Sequence, residues 1–190
     1  MVEIKRVTKE TDIEIKLEIN GSGKSDIQTG IGFFDHMLES FCKHSLIDLN
    51  IKCKGDIEVD FHHSVEDVGI VLGEALKKEI FPIKDMERFG EATIVMDEAS
   101  VKCALDLSNR PFLVYNIPVS EKIGEFDAEL AEEFFRALSF NASITMHLIY
   151  ERGKNKHHII EAAFKACAVA LRRAMTKNMR VGTPSTKGAL

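Results

Sequence analysis

Four of the chain's seven histidines fall in two short segments of one design. Asp60-Phe61-His62-His63-Ser64-Val65-Glu66-Asp67 and Asn155-Lys156-His157-His158-Ile159-Ile160-Glu161 each run from a helix-capping residue, through one intervening residue, to two histidines, two further residues and a glutamate. His62 and His157 are 95 residues apart, and the same offset pairs Asp60 with Asn155, Glu66 with Glu161 and Leu76 with Leu171. If each segment opens a helix, His157, Glu161, Lys165 and His158 lie at roughly 0°, 40°, 80° and 100° around the axis, off the core stripe. His62, Glu66 and His63 trace the same arc. A glutamate one turn beyond a histidine can share its ion. Adjacent histidines diverge too far to chelate one ion easily, so each serves a different ion or pairs with a ligand from elsewhere. Imidazole with carboxylate suits a borderline divalent ion and leaves Mn, Fe, Co, Ni and Zn open. The lack of cysteine ligands argues against structural zinc. A polar, solvated helix start is the plain reading of one such doublet; matched duplication argues against it for two. Ser64-Val65-Glu66-Asp67 also fits a capping box, which would start that helix three or four residues later.

His36 is the next candidate, off the apolar face of its helix. Its counterpart, 97 residues on, is Glu133. Either could complete an ion's shell, although each alone also reads as a solvated helix residue. His44 is less persuasive, and His147 sits in an alternating strand as a pleat-face residue.

The elements that must position these groups are legible from periodicity. Residues 2–8 and 12–19 alternate as strands, with Ile13, Ile15, Leu17 and Ile19 on one face. A helix over about 33–44 carries Phe34, Met37, Leu38, Phe41 and Cys42 at helical spacing. Ile47, Leu49, Ile51 and Cys53 form a strand, and Gly55-Asp56 turns the chain into the first doublet. Its helix runs to about Ile80, before Pro82. Strands follow at 91–96, 100–107 and 112–117, then a helix at about 127–141, a strand at 143–150, and a last helix from the second doublet to about Lys177. The tail, Gly182 to Gly188, reads as an ordered loop or a flexible end. A second offset, 88, aligns Lys9-Glu10-Thr11-Asp12-Ile13 with Asp97-Glu98-Ala99-Ser100-Val101. The chain is therefore read as an internal duplication: α+β, built from two β-β-α-β-α units with pseudo-twofold symmetry, each a sheet with helices on one face. Residues 1–88 form the first repeat; 89–190 form the second with the C-terminal tail. The two pack helix to helix or sheet edge to sheet edge.

With 190 residues, 45% hydrophobic and 29% charged, the chain suits one soluble domain or two small ones. A formal charge of −5 argues against nucleic acid as the main partner. A small anion remains possible, because it needs only a local cluster of Arg and Lys. Cys42, Cys53, Cys103 and Cys167 lie in apolar runs and read as reduced core residues. No signal peptide or membrane-spanning run is seen, so no membrane partner and a cytoplasmic location are expected.

These motifs resemble those of the imidazoleglycerol-phosphate dehydratase family of histidine biosynthesis. The resemblance rests on Gly30-Ile31-Gly32-Phe33-Phe34-Asp35-His36-Met37-Leu38, on both doublets, on Arg6-Val7-Thr8-Lys9-Glu10-Thr11, on Met96-Asp97-Glu98-Ala99 and on Pro184-Ser185-Thr186-Lys187-Gly188. It spans nearly the whole chain. It implies a duplicated fold of the ribosomal protein S5 domain 2-like type and an assembly of 24 subunits built from trimers. Each active site would lie at a subunit interface and hold two Mn2+ ions. The implied metal ligands are His36, His62, His63, Glu66, His157, His158 and Glu161, with Glu133 standing where many relatives carry a histidine. A carboxylate there suits Mn at least as well as imidazole. The substrate phosphate would be held by Arg88, Arg110, Ser185 and Lys187, a donor set suited to a dianion. Glu10 and His36 also face the substrate in this reading. The implied reaction is a hydro-lyase dehydration of imidazole glycerol phosphate to imidazole acetol phosphate. Glu10 is the first candidate for proton transfer and Asp97 the second; Lys165 orients or neutralises a carboxylate. The alternatives are a metal-binding assembly protein without catalysis, which would need no phosphate cradle, and a two-metal phosphoesterase, which would call for more bridging aspartates.

Overall fold

A computed structural model describes residues 1–188. The first half contains β1 (Val2–Val7), β2 (Thr11–Glu18), β3 (Ser25–Gln28), α1 (Gly32–Ser45), β4 (Asp48–Gly55) and α2 (His62–Ile80). The second contains β5 (Phe89–Met96), β6 (Ala99–Asp106), β7 (Phe112–Asn116), a short hairpin of β8 (Lys122–Ile123) and β9 (Phe126–Asp127), α3 (Leu130–Asn141), β10 (Thr145–Arg152) and α4 (Lys156–Ala174). The sheets repeat one topology, β1-β2-β4-β3 and β5-β6-β10-β7. In each, the third strand runs parallel to its neighbour and the other pairs are antiparallel.

The duplicated α+β architecture is as expected, but the repeating unit is β-β-β-α-β-α. The strand missing from the sequence reading is β3. It is a four-residue edge strand with one buried side chain, Ile27, too short to show alternation. The β8–β9 hairpin displaces the start of the expected 127–141 helix to Leu130. The first doublet's helix starts at His62, so the capping-box alternative is wrong: Asp60 Oδ1 accepts from the His62 amide at 2.8 Å. Asn155 does the equivalent work for α4, accepting from the amides of His157 and His158.

The halves pack helix to helix. α2 lies on the first sheet and against α3, while α4 lies on the second sheet and against α1. Two glycines on α2 allow the α2–α3 approach: a Cβ on Gly69 would stand 2.9 Å from Phe134 O, and one on Gly73 2.8 Å from Leu138 O. Between α1, α3 and α4 lies an aromatic centre. Phe164 stacks on Phe134 at 5.1 Å and meets Phe135 at 4.7 Å, while Phe34 meets Phe134 edge-on at 5.3 Å. All four rings are buried. They fix how α1 and α4 face each other, and so where His36 and His157 meet.

Candidate active site

The doublets sit in the first turns of α2 and α4, where the helix sets the divergence expected from the sequence. His62 and His63 have ring centroids 6.3 Å apart at 86°, and His157 and His158 are 6.4 Å apart at 80°. In each pair the first histidine turns Nε2 toward the glutamate one turn on: His157 to Glu161 at 3.1 Å, His62 to Glu66 at 3.5 Å. The second histidine turns Nε2 toward a β-hairpin carboxylate. His63 faces Glu10 and His158 faces Asp97, each at 3.9 Å. Geometry thus pairs Glu10 with Asp97, not with Glu98 as the offset of 88 suggested. The second hairpin turn is one residue shorter, and Asp97 takes a positive φ of 47° within it.

His36 joins the second doublet. His36, His157 and Glu161 offer ligand atoms all within 4.8 Å of one another, with His36 Nε2 3.7 Å from Glu161 Oε2. Cis ligands of an octahedral ion about 2.1 Å from each would stand about 3 Å apart; His157 and Glu161 have that spacing, and His36 stands somewhat wider, as a candidate third ligand. The trio's carboxylate is unusual, because the Glu161 side chain is only 8% exposed. Burial pushes its carboxyl pKa up, but Lys165 Nζ at 2.7 Å, with His36 and His157 nearby, outweighs burial and holds it below its ordinary value. Upstream, Asp35 Oδ1 accepts from the Thr29 amide at 2.9 Å and from its hydroxyl, fixing the chain's entry into α1 one residue before His36. Phe33 meets the His157 ring edge-on at 5.2 Å and packs on Phe126 of the small hairpin at 5.0 Å, giving His157 an apolar wall.

The first half is looser. His62 and Glu66 are each 44% exposed, and Ile70 stands where Lys165 stands in the second half. Glu133 lies on α3, which packs on α2, and its nearest charged partner is Arg136, at 3.7 Å. Among the described residues, the only trio with metal-binding spacing is His36, His157 and Glu161.

Two carboxylates had no assigned role in the sequence reading. Asp56, after β4, holds Nδ1 of His63 at 3.0 Å and raises that imidazole's pKa. Glu98 holds Nδ1 of His158 at 2.8 Å and accepts from the amides of Lys154 and Asn155 at 2.9 and 2.6 Å. These donors, the Asn155 amide foremost, hold its carboxyl down at about 2. The only sequence signal was two adjacent acids in a tight turn. His44, with its pKa lowered by burial and by Lys165 and Arg172, and His147, exposed on β10, stand outside these clusters.

The expected anion-binding residues do come together. Arg88, Arg110, Ser185 and Lys187, with Ser108, Asn109 and Thr183, line a cavity of about 730 Å³. The tail is an ordered loop here: Arg88 Nη1 donates to Pro184 O at 2.6 Å, and the Asp85 amide donates to Gly182 O at 2.8 Å. Asp106 grips the other side of Arg88 through Nε at 2.6 Å and Nη2 at 3.0 Å. The guanidinium is therefore fixed, with one N–H on each terminal nitrogen left to donate. Arg110 is exposed beside it. This cavity lies at the Arg88 end of β5, and the His158 cluster lies at the Asp97 end. Eight residues of strand separate them, roughly 25 Å at the usual rise.

The chain is similar to known proteins of one family. A family model described as imidazoleglycerol-phosphate dehydratase matches residues 29–171. A protein of that name from Nitratiruptor sp. is 65% identical over 190 residues, covering all of both chains. One from Campylobacter hominis is 66% identical over 190 residues, again covering both completely. Among solved structures, imidazoleglycerol-phosphate dehydratase from Staphylococcus aureus is 42% identical with a TM-score of 0.83, covering 94% of this chain and 100% of that one. The Pyrococcus furiosus enzyme is 38% identical with a TM-score of 0.85, covering 98% and 100%.

Proposed function

We propose, from the premise that the chain belongs to the imidazoleglycerol-phosphate dehydratase family, that it dehydrates D-erythro-imidazole glycerol phosphate to imidazole acetol phosphate in histidine biosynthesis, using two Mn2+ ions per active site. The alternative of a non-catalytic metal-binding assembly protein gives way to membership of an enzyme family. A two-metal phosphoesterase would call for bridging aspartates, and those of the first doublet segment are engaged elsewhere: Asp60 accepts from the His62 amide, and Asp67 pairs with Arg6 and accepts from Thr11.

The reaction expels hydroxide from the carbon beside the imidazole ring and removes a proton from the next carbon, which keeps its own hydroxyl; the resulting enol becomes a ketone at that carbon. That proton sits on a weak carbon acid and hydroxide is a poor leaving group; bound divalent ions would supply Lewis-acid charge that stabilises the deprotonated ring, whose electrons can then expel the hydroxide beside it. His36, His157 and Glu161 would hold one ion. His62, Glu66 and Glu133 would contribute to the other, with His63 and His158 completing the two shells. Glu10 and Asp97, each facing the Nε2 edge of a ligand histidine, are the carboxylates placed to move protons beside the ring. Lys165 keeps Glu161 ionised and aimed at its ion. Arg88, Arg110, Ser185 and Lys187 would take the phosphate.

The observation that carries most is the separation along β5. Only three carbons lie between the substrate's ring and its phosphate, far less than the strand's length. The Arg88 cavity and the His158 cluster of one chain are therefore too far apart to hold the two ends of one substrate, which supports a site completed by a second chain. It fits a 24-subunit assembly built from trimers, in which residues 1–88 and 89–190 act as one functional unit. A cytoplasmic location suits this pathway, and no helix of the described residues is long and apolar enough to cross a membrane. The test is turnover of imidazole glycerol phosphate with and without added Mn2+, read as acetol product. Product formation that needs Mn2+ supports the reading. No product with the metal-loaded protein overturns it.

A further inference from the structure

We infer that Asp56 and Glu98 are equivalent positioning residues, each fixing the tautomer of the second histidine of a doublet so that Nε2 faces outward as a metal ligand. The inference rests on the metal reading of the doublets. An ionised carboxylate only accepts hydrogen bonds, so a neutral imidazole held at Nδ1 must carry its proton there and its lone pair at Nε2. Both second histidines are held this way, His63 by Asp56 at 3.0 Å and His158 by Glu98 at 2.8 Å. The first histidines of the doublets engage their helix glutamates through Nε2 instead.

The two carboxylates come from different places. Asp56 follows β4 in the first half, while Glu98 lies in the β5–β6 turn of the second. The residue 95 positions after Asp56 is Glu151, which accepts from Ser100 Oγ at 2.6 Å. The duplication has therefore reached one contact by two routes, as expected if the contact itself is required. Nδ1 locking by a carboxylate is also how ligand histidines are commonly oriented, and losing such a partner costs about 10- to 100-fold in metal affinity.

The different routes give the proposal a distinctive test. Glu98 has one oxygen committed to two backbone amides and the other to His158. In Glu98→Gln the amide oxygen stays on the backbone donors and the NH2 turns to Nδ1, forcing the proton onto Nε2. Among the described residues, the Asp56 carboxylate contacts only His63. In Asp56→Asn the carbonyl oxygen can stay on Nδ1 and preserve the tautomer. Mn2+ binding to the metal-free full-length protein would be followed by the EPR signal of free Mn2+, and the tautomers by imidazole 15N NMR. Expected are a loss of about 10- to 100-fold in Mn2+ affinity for one site in Glu98→Gln with His158 protonated at Nε2, a smaller loss in Glu98→Ala, and near wild-type binding in Asp56→Asn. A native circular dichroism spectrum at the assay temperature separates positioning from unfolding; if Glu98→Gln fails to fold, the Asp56→Asn and Asp56→Ala pair carries the comparison. Wild-type affinity with unchanged tautomers in Glu98→Gln, or an Asp56→Ala that binds like Asp56→Asn, overturns the proposal. A wild-type protein that binds no Mn2+ overturns the metal reading instead.

Discussion

The two doublets share a sequence pattern and a ring geometry, yet they differ in how far each is assembled before any ion arrives. In the second half Glu161 is buried, paired with Lys165 and approached by His36 and His157. In the first half Glu66 is open to solvent, Ile70 replaces the lysine, and Glu133 lies beside Arg136. A buried carboxylate needs a permanent cation to stay ionised, and a lysine one turn away provides it. An exposed carboxylate is kept ionised by water and needs none. The comparison teaches that one repeat carries a preorganised set of candidate ligands and the other an open one.

Breaking the packing beneath the preorganised set should have the largest effect. Phe164→Ala removes the ring joining α3 to α4 and should cost about 3–5 kcal/mol in chemical denaturation. Next, Lys165→Ala strands a buried carboxylate and should cost about 2–3 kcal/mol in the metal-free protein, less than a fully buried pair because the lysine is partly exposed. Added Mn2+ should recover part of that loss. Glu66→Gln, which neutralises the carboxylate of the open half, should change stability by less than about 0.5 kcal/mol. If Lys165→Ala and Glu66→Gln were equally mild in urea titrations, the asymmetry would be an appearance only. Smallest is an acid effect at the β5–β6 turn. The Glu98 carboxyl is held at about 2, against an ordinary 4.5, so its stabilising contribution is present above 4.5 and fades as pH falls toward 2. The melting-temperature gap between wild type and Glu98→Gln should narrow over that window and stay constant above pH 5.

Most of the site's raw material was legible in the sequence, because helix periodicity puts His157 and Glu161 on one arc and predicts that His157 and His158 diverge. Strand alternation and the 95-residue offset likewise gave the duplicated α+β fold. What stayed hidden depends on contacts the chain makes with distant parts of itself. Glu98 reaches His158 across sixty residues, and its hairpin turn resembles any acidic turn. Asp56 looked like a turn residue after Gly55. β3 has one buried residue and is a strand because β4 offers it an edge. Lys165 was placed on the right arc, but only burial of Glu161 shows why the lysine is needed there.

The central claim is that the phosphate cradle and the histidine cluster of one chain serve different active sites. Subunit mixing tests it most directly. Arg110→Ala should be inactive for want of a phosphate ligand, and Glu10→Gln for want of a proton-transfer group, each with near-normal metal content. Dissociated, mixed in equal amounts and reassembled, the two should recover activity, up to roughly a quarter of wild type if each site draws on one chain at either end. A mixture as inactive as its parents, with mixed assemblies verified by mass, would contradict the account.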